Sequence, residues 1–150
     1  MDEDLVSELS NLEGKSSVVF IDYVQKIPTN STSTIRYTEV QKTMEKIRET
    51  AVKTNLPIIV GAQTNRQAEG EEPQLHHLRE SGDIEQDASV VIAIHNYRYH
   101  KASKDEKEEK EVAKFVKMNA VKLIVLKNRF GVTGNLYLEF DGRIFKFSEP

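Results

Sequence analysis

Three polar residues stand where apolar runs stop. Asp22 follows Val18-Val19-Phe20-Ile21, Gln63 follows Ile58-Ile59-Val60-Gly61-Ala62, and His95 follows Val90 to Ile94. Runs that are apolar at every position suit strands buried on both faces, as in parallel sheets. Open parallel sheets collect their chemistry at the carboxyl ends of the strands. A carboxylate placed there can hold Mg²⁺ through its water shell beside a phosphate chain. A neutral amide such as Gln63 can both donate and accept, or simply satisfy the backbone at the strand end. Lys127 and Arg129 are spaced by two, so on a strand both point to the same side. They are either a placed pair of cations or two solvated basic residues.

Other candidates fall away on chemistry. Gly14-Lys15-Ser16 spells the end of a phosphate-binding loop, but that motif needs Gly where Leu9 stands. It also precedes a strand, whereas such a loop joins a strand to a helix whose N-terminus faces the phosphates. With no Cys and no helical pairing among His76, His77, His95 and His100, a zinc site is not expected. The absence of Cys also rules out disulfides and suits a reducing compartment. A net charge of -3 excludes a generally basic coat, so nucleic-acid contact would need a few placed cations. The acidic start (Asp2, Glu3, Asp4) is the reverse of a signal peptide, and no apolar run is long enough to span a membrane. A cytoplasmic protein without membrane contact is expected, and Asn30-Ser31-Thr32 then carries no meaning as a glycosylation site.

The elements that must position these residues are legible in outline. The 150 residues, 38% hydrophobic and 30% charged, fit one globular domain. Leu5, Leu9 and Leu12 share a face of a short helix stopped by Gly14. Lys26 to Tyr37 reads as a long surface loop. Thr38 and Gln41 form a capping box, and Val40, Met44, Ile47 and Ala51 mark the buried stripe of the next helix, ended by Asn55 and Pro57. Asp83 and Gln86 suit the caps of a helical turn before a third strand, Val90 to Ile94. This alternation indicates an α/β sheet with crossover connections. Lys101 to Glu111 is a mixed-charge run, read as a solvated helix or flexible excursion, and residues 101–118 form a charged insert. Val121 to Leu126, then Leu136, Leu138 and Phe140, then Asp141-Gly142 before Ile144, Phe145 and Phe147, indicate an antiparallel extension.

Four segments, in order, resemble one family. Ile21-Asp22-Tyr23-Val24-Gln25 resembles the Walker B segment of DnaB-type replicative DNA helicases. Gln63-Thr64-Asn65-Arg66 is similar to that family's next strand end, and Leu78-Arg79-Glu80-Ser81-Gly82-Asp83-Ile84-Glu85-Gln86-Asp87-Ala88 to its following block. Lys127-Asn128-Arg129-Phe130-Gly131-Val132-Thr133-Gly134 resembles its last, with Phe140-Asp141-Gly142 in the closing hairpin. The resemblance implies a RecA-like parallel sheet core flanked by helices, extended by a C-terminal antiparallel hairpin, incomplete because the phosphate-loop unit lies upstream.

Roles follow from the same resemblance. Asp22 would bind Mg²⁺ through water and Gln63 would sense the γ-phosphate of ATP. Arg79, Glu80 and Gly82 match the DNA-holding loop, with Lys26 and Arg36 as further phosphate contacts. Lys127 and Arg129 would reach ATP on the neighbouring subunit of a hexameric ring, as an arginine finger does. The implied partners are single-stranded DNA, identical subunits, primase and a helicase loader, at the nucleoid. Without the phosphate loop and the catalytic glutamate, the chain alone is expected neither to bind ATP tightly nor to hydrolyse it. A non-catalytic module that binds single-stranded DNA or joins a ring, and an unrelated α/β binding protein, remain alternative readings.

Overall fold

The computed structural model describes residues 7, 11, 14, 18–27, 36–101 and 105–150; for 36–38, 67 and 79–84 it describes the backbone alone. The expected N-terminal helix stripe of Leu5, Leu9 and Leu12, and most of the 26–37 loop, lie outside these residues. The chain divides into two compact units. The first is Met1–Gln63 with Leu78–Asp87, and the second is Thr64–His77 with Ala88–Pro150.

In the first unit, β1 (Val19–Ile21) pairs in parallel with β2 (Ile58–Val60), Ile21 opposite Val60. Helix α1 (Arg36–Thr54) connects them. Its stripe of Val40, Met44 and Ile47 is buried and packs with Val24 against Ile21, Ile58 and Val60. Thr43, Thr50 and Thr54 are buried as well. Each can go inside because its hydroxyl donates to the carbonyl four residues back. The acceptors are Glu39 at 2.9 Å, Lys46 at 2.7 Å and Thr50 at 2.7 Å. Asn55 stops the helix in the left-handed conformation (φ 52°), which this residue type tolerates. Because α1 already runs from Arg36, Thr38 is inside the helix rather than at its cap, the place the Thr38–Gln41 pairing needs. The apolar stripe fixes which face is buried but not where the first turn begins. Leu75–Ser81 is a 3-10 turn leading into α2 (Gly82–Asp87), so Asp83 and Gln86 lie within that helix rather than capping it. Asp87 pairs with Arg48 of α1 at 3.0 Å.

In the second unit, β3 (Val90–Asn96), β4 (Ala120–Asn128), β5 (Gly134–Asp141) and β6 (Lys146–Ser148) form an antiparallel sheet in that order. The reading of Val90 to Ile94 as a third parallel strand is therefore corrected. Its partner is β4, with His95 opposite Lys122 and a bulge between Val91 and Ile92. An unbroken apolar run does not reveal its partner's direction, and here the partner comes from much later in the chain. Helix α3 (Glu106–Lys117) occupies the charged insert. Asp105 caps it, accepting from the N–H groups of Lys107 at 2.8 Å and Glu108 at 3.2 Å. The closing hairpin forms, but with Asp141 opposite Lys146 its connection is Gly142 to Phe145. Ile144 and Phe145 thus belong to the turn rather than the strand, and Phe145 takes the positive φ of 51°.

Candidate functional site

Asp22 immediately follows β1 and is exposed; its peptide bond to Tyr23 is cis. The parallel pairing continues past the strands into this rim. Gly61 N–H donates to the Ile21 carbonyl at 2.8 Å, and Val24 N–H donates to the Gly61 carbonyl at 3.0 Å. A Cβ on residue 61 would meet the Ile21 carbonyl and Tyr23 Cβ at 3.4 Å and the Asp22 carboxylate at 3.5 Å. Asp22 therefore lies against bare backbone at the end of β2, and Gln63 emerges two residues further along the same rim.

Gln25 completes this arrangement. Its amide nitrogen donates to the Gln63 carbonyl at 3.1 Å, and its amide oxygen accepts from Gln63 N–H at 3.2 Å. The backbone of Gln63 is held while its side chain stays exposed. Strand-end satisfaction, the plain reading of Gln63, is thus supplied by a different amide. Gln25 stands in the segment that resembles Walker B, yet nothing in the order of residues says that it faces the end of β2. Lys26 sits in the 3-10 turn Val24–Lys26, with its ammonium 4.9 Å from the Tyr23 ring centroid, within cation–π range.

The remaining candidates are placed as follows. Arg36 opens α1, and Arg79 and Glu80 lie in the 3-10 turn that passes into α2 at Gly82, all in the first unit. The backbone at Arg79, Glu80 and Gly82 is helical rather than an open loop. Lys127 and Arg129 belong to the second unit. Lys127 is half-buried in β4 opposite Val91, while Arg129 is exposed one residue beyond the strand, its N–H donating to the Ser89 carbonyl at 2.9 Å. The turn after Arg129 is organised by Asn128, which accepts from Phe130 N–H at 3.0 Å and donates to the Val132 carbonyl at 3.2 Å.

His95 is not at a parallel rim. It is buried in the antiparallel sheet, in a cross-strand row with Lys122 and Tyr137. Lys122 donates to both oxygens of Glu72 at 2.7 Å, and the Tyr97 hydroxyl donates to Glu72 at 3.0 Å. Burial pushes the Glu72 carboxyl up, but the Lys122 and Tyr97 hydrogen bonds outweigh it and leave the group below its ordinary value. Burial pushes His95 down, with the neighbouring His100 acting in the same direction; the two rings meet Nε2 to Nδ1 at 3.0 Å. Phe115 of α3 stacks between Tyr97 (4.7 Å) and Tyr137 (5.1 Å) and docks that helix on the sheet. The same unit carries a cleft of about 780 Å³ lined by Asn96, Arg98, Asn119, Asp141, Arg143 and Phe145, among others.

Among the described residues, no group of three or more His, Asp or Glu side chains could hold a metal ion. A single exposed carboxylate, Asp22, suits magnesium held mainly by phosphate oxygens and water, not a protein-only cage. No helix among those residues is long and apolar enough to cross a membrane.

The sequence profile described as "DnaB-like helicase C terminal domain" matches residues 3–149. Replicative DNA helicase DnaB of Rickettsia conorii is 36% identical over 139 residues, covering 87% of this chain and 28% of that protein. The Mycoplasma pneumoniae protein of the same name is 34% identical over 147 residues, covering 95% and 29%. The chain thus spans less than a third of the length of these relatives. A solved DnaB-like replicative helicase, reported with its interactions with primase, superposes at a TM-score of 0.80 over 99% of this chain and 36% of its own, at 24% identity. A second solved structure, of an ATPase domain, also superposes at 0.80 and 24% identity, over 99% of this chain and 51% of its own. The two superpositions place the fold among RecA-like helicase ATPase domains, and the profile and sequence matches place the chain in the DnaB-like helicase C-terminal domain family.

Proposed function

We propose that this chain is the C-terminal part of the motor of a ring-forming replicative helicase, which couples ATP hydrolysis to movement on single-stranded DNA. The observation that carries this reading is the common rim of β1 and β2, where Asp22 and Gln63 emerge from paired parallel strands and Gln25 fixes the backbone of Gln63. Magnesium-ATP would supply the phosphoryl group and its charge. Asp22 would orient the magnesium's water shell, and Gln63 would hydrogen-bond at the γ-phosphate position. Lys127 and Arg129 would act on the nucleotide of a neighbouring subunit in a hexameric ring, neutralising charge that develops during transfer. Lys26, Arg36 and Arg79 would pair with DNA phosphates, with Glu80 and Gly82 shaping the same contact. Primase and a loader are the partners this role calls for, and the cytoplasm is its place.

Binding of a fluorescent oligothymidylate by the chain tests the DNA role. Arg79→Ala is expected to weaken binding and reduce its salt dependence by about one phosphate contact. Binding that is absent, or indifferent to this change, removes the DNA role. Magnesium-dependent ATPase activity in the purified chain, with contaminants excluded, would overturn the expectation that it is inactive without a phosphate loop.

A further inference from the structure

The antiparallel sheet of the second unit is apolar on one face, where Ile94, Leu123 and Leu136 are aligned, and polar and aromatic on the other, where α3 lies. On that second face two histidine rings meet. His95 Nε2 and His100 Nδ1 are 3.0 Å apart, and the ring planes cross at 83°. The far nitrogen of His100, Nε2, lies 3.8 Å from a carboxylate oxygen of Glu108 on α3. His95 is buried, and the His100 side chain is only 11% exposed. The other charges around the pair are matched. Glu72 is bonded to Lys122 and to the Tyr97 hydroxyl, Lys122 lies over the Tyr137 ring, and Lys101 pairs with Glu71 at 4.0 Å.

Two imidazole nitrogens this close need one hydrogen between them, one ring donating and the other accepting. The neutral pair meets that condition. One added proton meets it too, in a single arrangement: the shared hydrogen stays between the rings, and both outer nitrogens carry N–H groups. The outer one of His95 is served by the Glu71 carbonyl, which hydrogen-bonds that ring, and the outer one of His100 faces Glu108. Burial pushes His95 down, so the charge resides on His100, beside the carboxylate. A second proton would set two N–H groups head to head and part the rings.

We propose that His95, His100 and Glu108 form a proton-operated latch for α3. With one added proton the pair grips Glu108 and draws the helix onto the sheet; with none, α3 rests on the stack of Phe115 between Tyr97 and Tyr137. The grip is therefore present in mildly acidic medium and lost as the pH rises through the histidine range, about 6.5. Arg98 and Tyr99 share a 3-10 turn with Tyr97 and line the cleft, so the latch also sets how firmly one wall of that cleft is held. It rests on the second unit alone and not on the roles proposed for Asp22, Gln63 or Arg79.

Amide hydrogen exchange of the full chain tests it, with protection factors in α3 taken relative to Leu123 and Ile124 of β4 at about pH 8 and about pH 6. At the lower pH α3 is expected to gain about two- to fivefold in protection, the range of a partly exposed ion pair. Salt at about 1 M should remove most of that gain. Glu108→Gln and His100→Gln should each abolish it, while Glu111→Gln leaves it in place. The Glu108 side chain is 55% exposed, so its replacement leaves the fold intact. Equal protection at both pH values, a gain that persists in Glu108→Gln, a gain that Glu111→Gln also removes, or one unmoved by salt would each overturn the proposal.

Discussion

The side-chain amide of Gln25 is paired with the backbone of Gln63 by two hydrogen bonds, 3.1 and 3.2 Å long, across 38 residues of sequence. This pairing joins the turn after β1 to the end of β2, so the two groups proposed to read the nucleotide share one support. Gln25→Ala should release the Gln63 amide, raising its hydrogen-exchange rate by about fivefold for roughly 1 kcal/mol of lost hydrogen bonding. Exchange at Thr50, in the C-terminal half of α1, should not change.

Glu72 and Lys122 form the most buried ion pair described, with Lys122 nearly inaccessible and Glu72 partly exposed. Removing one partner strands the other, so Lys122→Met should cost about 2–3 kcal/mol, below the fully buried range because water still reaches Glu72. The carboxyl is held below its ordinary value, so its stabilising contribution is complete above pH 4.5 and declines as the pH falls through the lowered value. Denaturant titrations at neutral pH and at pH 3 should therefore show the deficit of Glu72→Gln shrinking in acid.

His95 is pushed down by burial. Below pH 6.5, its ordinary value, the unfolded chain takes up a proton that the folded chain resists, so stability falls as the medium is acidified. His95→Asn should flatten that slope between pH 6.5 and the lowered folded value, as thermal melts across the interval would show. His77, also lowered by burial, contributes a residual slope.

Gly70 has φ +79°, and a Cβ there would lie 2.3 Å from Lys101 Cγ and 3.1 Å from the Lys101 nitrogen. Its carbonyl accepts from Lys101 N–H at 2.7 Å, so the approach is fixed from both sides. Gly70→Ala should destabilise by about 2–3 kcal/mol, measured by urea unfolding.

Phe115 is the side chain that holds α3 between two tyrosine rings. Phe115→Ala should cost about 1–3 kcal/mol and open residues 106–117 to limited proteolysis before the sheet is cut.

Much of the fold was legible because its signals are local. Val40, Met44 and Ile47 repeat at helical spacing, and Asn55 with Pro57 ends the helix where the backbone turns left-handed. The rim of β1 and β2 was legible for the same reason: Asp22 and Gln63 sit at the ends of apolar runs. What stayed hidden depends on partners far along the chain. Gln25 gains its role only when Gln63 comes beside it. Val90 to Ile94 is as apolar as β1, yet pairs in the opposite sense because β4 lies beside it. His95, Lys122 and Tyr137 form one row that no spacing rule could join, since it is assembled by strand register, and Glu72 reaches Lys122 from outside the strands.

That row has a consequence for assembly. Side chains alternate between sheet faces, so sliding β4 by a single step would carry the Lys122 ammonium to the apolar side and leave the Glu72 carboxylate facing Val121 or Leu123. Misaligned hairpins would thus be rejected by an uncompensated charge, and the sheet carries its own proof-reading in one acid and one base.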